Sequence, residues 1–344
     1  MIRLGLIGIG HGKTLIDAGC SKQLASQVQT TAICDINQSR LSAVSKEYGI
    51  KNTFTNYNDL VKSKDVDMVG IYSPGPIHAD QILSALENGK HVMVTKSMVY
   101  SIPEIEKIVE AVDRTGLVLL VTQTMRGDAK HMEAKRLCQS GAIGDLFLGE
   151  ATYIHDLRPV YSQTPWRTQM PQDILLGGAC HPIDALRWFM GDIDEVHCFG
   201  IRGGVAREYP KEDNFVINLK FKSGKIGRVA ALCGVVHPPT LLMNGLNLYG
   251  TLGSIVDGKM RLDTDNIIPM REYEFTFPNT QRGHGTEMVV MLEHMLDCIK
   301  NGTKPWVDVR DGAKVVSTGL ASVSYTHLRA HETEADLVCR LLLE

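Results

Sequence analysis

The first 35 residues constrain this chain more than any other stretch. They read as an apolar strand (Ile2 to Ile7), a glycine turn (Gly8-Ile9-Gly10-His11-Gly12-Lys13), a short helix, and a second strand ending at Cys34-Asp35. Without a Cβ, Gly8 lets the backbone turn sharply off the strand, and Gly10 lets a phosphate approach the chain closely. A helix starting there offers that charge its free N–H groups and the positive end of its dipole. The Asp35 carboxylate, at the end of the second strand, suits both hydroxyls of an adenine ribose. The parts together predict a dinucleotide site built on Gly8, Ile9, Gly10, His11, Gly12 and Asp35. The charge of Asp35 would repel a 2'-phosphate, which favours NAD over NADP, while Arg40 keeps NADP open. Lys13 stands where the glycine pattern normally has its third glycine; Gly12, one residue earlier, is placed to relieve the crowding of helix on strand. Lys13 itself is expected to be a solvated first-turn lysine, with a phosphate contact as the alternative.

Strands then alternate with helices to about residue 122. Leu41, Val44 and Tyr48 share a helical face, Val66 to Tyr72 is a buried strand, Ile82, Ala85 and Leu86 mark a helix, and His91 to Thr95 is another strand. Ser101-Ile102-Pro103-Glu104 reads as a capping box opening a helix whose Ile105, Ile108, Val109 and Val112 face one way, before a strand at Leu117 to Thr122. This order predicts an N-terminal Rossmann domain, a doubly wound parallel sheet over residues 1–122.

Beyond Gln123 the pattern changes. A helix at 129–139 leads to a long strand (Leu146 to Ile154), an irregular polar and aromatic segment, and a helix from Pro182 to Phe189. Strands then follow one another at Glu195 to Ile201, Asn214 to Phe221, Ile226 to Cys233, Leu246 to Tyr249 and Glu272 to Phe277. Such a run predicts an open, mostly antiparallel sheet in an α+β domain over 123–323, with a late helix laying Met288, Leu292, Met295, Leu296 and Ile299 against one face. The length of 344 residues suits about two domains.

Composition narrows the partners. A formal net charge of -3 without a basic stripe argues against nucleic acid. The eight cysteines form no C-x-x-C pair, which argues for reduced, buried thiols and a cytoplasmic setting. The N-terminal apolar run is too short and glycine-rich for a signal peptide, and no stretch approaches the roughly 20 apolar residues of a membrane helix.

Gly8-Ile9-Gly10 with Asp35, Ser73-Pro74-Gly75-Pro76-Ile77-His78, Gly89-Lys90-His91-Val92-Met93-Val94-Thr95-Lys96, Gly141-Ala142-Ile143-Gly144 and His181-Pro182-Ile183-Asp184 occur in one order. Over roughly residues 1–322 the chain resembles the Gfo/Idh/MocA oxidoreductases, the family of glucose-fructose oxidoreductase and inositol dehydrogenase. The resemblance implies a nicotinamide cofactor, a sugar, cyclitol or related polyol as substrate, and a homodimer or homotetramer assembled through the C-terminal sheet. It adds Ser73, Pro74, His78 and Lys96 to the cofactor-binding candidates. Lys96 resembles the lysine of the family's Glu-Lys-Pro motif, although Thr95 and Ser97 flank it here. At the C-terminal end of a strand in a doubly wound sheet, such a lysine lies on the ligand-binding edge. Hydride departure from a carbinol carbon needs the hydroxyl proton removed, and an ammonium can hold the oxygen and lower its pKa.

His181 resembles the family histidine and is the candidate base, with Asp184 one helical turn on, beside the imidazole or substrate. Where many members carry an aspartate four residues before that histidine, this chain has Gly177, so a proton relay would be rerouted; Asp173 could substitute, against its ordinary reading as a turn-forming aspartate. Gln123, Arg126, His155, Arg158, Trp166 and Arg167, with His181, are the substrate-binding candidates, suited to a polyol or an anionic sugar; a surface loop packed on Trp166 is the alternative for the 153–167 segment. The expected activity is an NAD-dependent dehydrogenase acting on CH–OH groups. A glycoside-cleaving enzyme using transient ring oxidation and a nucleotide-binding regulator without turnover remain alternatives. Residues 324–344 resemble translated sequencing-adapter read-through and are expected to be a non-native tail following a truncated C-terminus. His327 and His331, at helical metal-ligand spacing, fall in that tail, and no metal site is expected.

Overall fold

In the computed structural model, which describes residues 1–164, 166–170, 173–238, 244–256, 258–263, 272–274 and 285–327, the N-terminal apolar runs become strands of one parallel sheet. The elements are β1 (Ile2–Ile7), α1 (Lys13–Gly19), β2 (Val28–Cys34), α2 (Gln38–Tyr48), β3 (Asn52–Phe54), α3 (Tyr57–Val61), β4 (Met68–Ile71), α4 (His78–Glu87), β5 (His91–Thr95), α5 (Ile102–Thr115) and β6 (Leu119–Thr122). The sheet order is β3-β2-β1-β4-β5-β6, every neighbouring pair parallel. Leu4, Leu6, Val69, Ile71, Val92 and Val94 have no exposed surface, as expected of a sheet covered on both faces. The order reverses between β1 and β4, the switch point at which such sheets open a crevice for ligands. β3 and α3 escape the sequence reading because so short a strand, half buried, produces no apolar run.

The capping box at Ser101 is corrected. Ser101 occupies the cap position of α5, but its side chain makes no capping bond, and Glu104 Oε2 accepts from the Tyr100 N–H at 2.9 Å. Pro103, inside the first turn, removes one of the two N–H groups such a serine could satisfy.

The second sheet follows from α6 (Ala129–Gln139) and β7 (Leu146–Ile154). The segment expected to be irregular contains α7 (Arg158–Gln163), α8 (Trp166–Gln169) and α9 (Ile174–Gly177), each too short to show a periodic stripe, before α10 (Cys180–Met190). Then come β8 (Ile193–Ile201), β9 (Asn214–Phe221), β10 (Ile226–Leu232), β11 (Asn244–Gly250), β12 (Gly253–Val256), β13 (Lys259–Leu262) and β14 (Glu272–Glu274). The remainder of the strand expected at Glu272 to Phe277 lies outside the described residues. The order is β14-β13-β12-β11-β7-β10-β9-β8, and among the described strands of this sheet only the β7–β10 pair runs parallel. Along β9, Phe215, Ile217, Leu219 and Phe221 point into the core while Val216 is exposed, the period of two that defines one buried face. α10 packs closely on that face. A Cβ on Gly149 would lie 2.9 Å from Leu186 Cδ2, and one on Gly227 would lie 3.1 Å from Leu186 Cδ1.

Two helices close the described chain, α11 (Gly285–Asn301) and α12 (Val309–His327). The placement of α11 against the antiparallel sheet is corrected. Met288, Met291, Leu292, Met295 and Leu296 share a core cluster with Leu15, Ile16 and Val28, so α11 completes the parallel-sheet unit. The stripe shows that a helix needs an apolar surface, not which one. α1 has only seven residues and covers little of the sheet, leaving apolar area for α11 to bury. Among the described residues the chain therefore divides into two units, 1–127 with 285–313 and 128–274 with 314–327. No helix among the described residues is long and apolar enough to cross a membrane.

Candidate active site

In the first unit, the turn after β1 is fixed by contacts that exclude side chains. Gly8 has φ 82°, and a Cβ on it would lie 2.6 Å from the Ser73 nitrogen. Gly12 is the packing glycine, since a Cβ there would lie 2.4 Å from the Gly8 oxygen and 3.2 Å from Leu6 Cδ1. Gly10 is exposed, and the nearest atom to a Cβ would be Arg40 Nη1 at 3.6 Å. Its backbone is therefore open to an approaching group. Asp35 is only 7% exposed, and its carboxylate accepts from the Ile9 N–H at 3.1 Å and the Asn37 N–H at 2.9 Å. Arg40 Nη1 donates to the same carboxylate at 3.2 Å. An accessible glycine backbone beside a fixed carboxylate fits a diphosphate and its ribose. Lys13 pairs with Glu47 at 2.7 Å and lies over the Tyr48 ring, and His11 is exposed, its ring centroid 6.2 Å from that of Tyr72. Burial, with Asp35 and Asp59 adding, pushes the Cys34 thiol up to about 12.

Four further candidates follow strands on this same C-terminal edge: Ser73 and Pro74 after β4, Lys96 after β5 and Gln123 after β6. Ser73 Oγ donates to Gln81 Oε1 at 2.5 Å. His78 is fully buried, with Nδ1 2.8 Å from the Ser97 carbonyl oxygen and Nε2 3.0 Å from that of Ser73, so its ring ties together the loops after β4 and β5. Burial pulls its pKa down against those two carbonyls. Lys96 is half-buried, and the Lys96–Ser97 peptide is cis. Gln123 is buried, and so is Arg126, whose Nη1 donates to the Trp306 carbonyl at 2.5 Å.

In the second unit, the end of β7 and the start of α10 bring three rings together. His181 is 5% exposed and lies in the first turn of α10, with its centroid 5.4 Å from that of Tyr153. Tyr153 Oη is 3.3 Å from His155 Nδ1. Asp184, one turn beyond His181, has no exposed surface. Asp173 caps α9, accepting from the Leu175 N–H at 2.8 Å, which is the turn-forming use of that carboxylate. Arg158 is held in a bidentate pair with Asp156 at 2.5 and 2.9 Å, and this holds the Asp156 carboxyl below its ordinary range. Arg167 stacks its guanidinium 4.5 Å from the Trp166 ring centroid. The sequence reading set Tyr153 at the head of the 153–167 segment but gave it no role of its own. Its inward position follows from the period of β7, but nothing local says that α10 meets it there.

Comparison with known proteins matches two stretches of the chain. Residues 2–123 match the oxidoreductase family with an NAD-binding Rossmann fold (GFO_IDH_MocA), and residues 131–256 match the GFO/IDH/MocA C-terminal domain. The chain is 25% identical to scyllo-inositol 2-dehydrogenase (NAD(+)) of Bacillus subtilis, covering 94% of this chain and 92% of that protein. It is 28% identical to a glycosyl hydrolase family 109 protein of Shewanella baltica, covering 91% and 80%. Levoglucosan dehydrogenase in complex with NADH and levoglucosan shares the fold, with a TM-score of 0.84 at 21% identity, covering 94% of this chain and 96% of that one.

Proposed function

This chain is a member of the Gfo/Idh/MocA oxidoreductases, and from that membership we propose that it oxidises a secondary hydroxyl of a cyclitol or sugar-like polyol, with NAD as the hydride acceptor. The observation that carries the reading is the shared edge of the parallel sheet, where Gly8, Asp35, Ser73 and Lys96 follow four different strands. The relatives that act on scyllo-inositol and levoglucosan support the substrate class.

Gly8 to Gly12, Asp35, Ser73 and Pro74 would hold the dinucleotide, which when bound supplies the carbon that takes the hydride. Lys96 holds the substrate oxygen through its ammonium and lowers the pKa of the hydroxyl. His181 accepts the hydroxyl proton as the carbonyl forms, directly or through Asp184 and water. His155, Trp166 and Arg167 recognise the remaining hydroxyls or a carboxylate, with Gln123, Arg126 and Arg158 as further contacts. A homo-oligomer forms through the outward face of the second sheet.

Nicotinamide absorbance over a panel of cyclitols and sugars tests this, with Lys96→Ala as the comparison. Turnover on at least one polyol is expected, falling by about 10²- to 10⁴-fold in the variant. No turnover across the panel, or an undiminished rate without Lys96, overturns the reading. The likeness to a glycosyl hydrolase family 109 protein favours a second reading, glycoside cleavage through transient oxidation of the ring. Aryl glycosides separate the two. Release of the aryl alcohol without accumulation of NADH selects cleavage, and NADH accumulating on free polyols selects the dehydrogenase.

A further inference from the structure

We propose that Tyr153 is the positioning residue for His181, its ring setting the plane of the imidazole while its hydroxyl links His155 to the same group. The inference rests on the reading of His181 as the proton acceptor. Tyr153 is near the end of β7 and 8% exposed, so its backbone is held by the sheet and its side chain by the core. Its ring lies 5.4 Å from the His181 ring with the planes 30° apart, and 5.9 Å from the His155 ring with the planes at 81°. These separations are those of packed aromatic pairs. Gly178 makes room for the arrangement, because a Cβ there would lie 3.3 Å from Tyr153 Cδ1 and Cε1. The Gly178 carbonyl also accepts from the His181 N–H at 3.3 Å, so the turn touching the tyrosine is the turn that starts the histidine's helix.

An imidazole has two side-chain torsions to fix before its nitrogen can be aimed at a proton, and a proton acceptor misplaced by an ångström loses much of its rate. The Tyr153 ring, tilted 30° to the imidazole, restricts both torsions. Burial holds the phenol above its ordinary value, so it stays protonated and is not itself the base. A hydroxyl can donate to His155 Nδ1 when that nitrogen is bare and accept from it when it is protonated, so the link persists in either state.

The test compares Tyr153→Phe with Tyr153→Leu in the full chain, using the polyol that the panel selects. Phenylalanine keeps the ring and loses the link to His155; kcat is expected to fall less than about threefold while KM rises. Leucine removes the ring, and kcat is expected to fall about tenfold or more with the circular dichroism spectrum unchanged. Folded Tyr153→Leu with the parent kcat overturns the inference, as does a phenylalanine variant that loses as much kcat as the leucine one. Gly178→Ala, whose methyl would lie 3.3 Å from the Tyr153 ring and 3.1 Å from the Ile174 carbonyl oxygen, supplies the same reading with the circular dichroism spectrum unchanged if the leucine variant does not fold. A lowered kcat supports the inference and the parent kcat overturns it. His181→Ala separates the two ideas, since undiminished turnover there refutes the proton-acceptor reading irrespective of what the Tyr153 variants do.

Discussion

Asp35 gathers three partners around the glycine turn of the first unit. It braces the glycine turn through the Ile9 N–H, starts the loop into α2 through the Asn37 N–H, and holds Arg40 by charge. Replacing it with serine leaves a small acceptor for the two N–H groups and releases Arg40, whose guanidinium then suits a 2'-phosphate. Asp35→Ser is expected to weaken NAD by about tenfold or more and to strengthen NADP by a similar factor, read by titrating each dinucleotide calorimetrically. An unchanged ratio of the two affinities would show that Asp35 does not select the cofactor. Asp35 was legible in the sequence because its role follows from local order, an acid directly after the second strand. Arg126 and His78 were less so. Arg126 is committed to the carbonyl of Trp306 and His78 to carbonyls on two loops, partners that no local pattern names.

At the scale of elements, the glycine turn divides two jobs that the sequence pattern merges. Gly12 allows α1 to pack on β1, while Gly10 leaves backbone exposed with nothing nearer than 3.6 Å to a Cβ. Gly12→Ala is therefore expected to destabilise the fold by about 1–3 kcal/mol in urea unfolding, since the added methyl meets backbone that cannot move aside. Gly10→Ala is expected to unfold with the parent midpoint and to bind NAD more weakly, because the methyl occupies the approach to the phosphate. Equal stability for Gly12→Ala, or undiminished NAD affinity for Gly10→Ala, would reverse that division. Element boundaries were readable where period and burial agreed, as in β1, β5, β7 and β9, whose limits the apolar runs define to the residue. The home of α11 was not. Its stripe of methionines and leucines fits any apolar surface, and the choice of the first core over the second depends on how little area the short α1 covers.

The largest structural question in the whole molecule concerns the face of the second sheet turned away from α10. On β8, β9 and β10 the outward positions include Phe199, Ile201, Val216 and Ile226, exposed by 65%, 68%, 44% and 52%. Phe199 lies opposite Val216 across the strand pair and the His197 ring packs edge-on against Phe199 at 4.7 Å, so Phe199, Ile201 and Val216 adjoin on one surface, with Ile226 beside Lys220 further along it. Isolated exposed apolar residues are ordinary, but several adjoining on one sheet face mark a surface that something covers. The same face carries two ion pairs, Arg228 with Glu150 at 2.7 Å and Lys220 with Glu195 at 2.5 Å, a mixture of apolar and charged groups that a second copy of the chain is proposed to cover. Phe199→Lys combined with Ile201→Glu places two charges of opposite sign on β8 at positions whose side chains make no core contact, so the fold should survive. The parent chain is expected to sediment as a dimer or tetramer at micromolar concentration, and the double variant as a monomer with the parent circular dichroism. A parent chain that sediments as a monomer, or a double variant that keeps the parent's mass, would remove the sheet face as the interface. The catalytic reading would still stand, because the glycine turn, Asp35 and Lys96 lie in the first unit and Tyr153 and His181 belong to the buried side of the second.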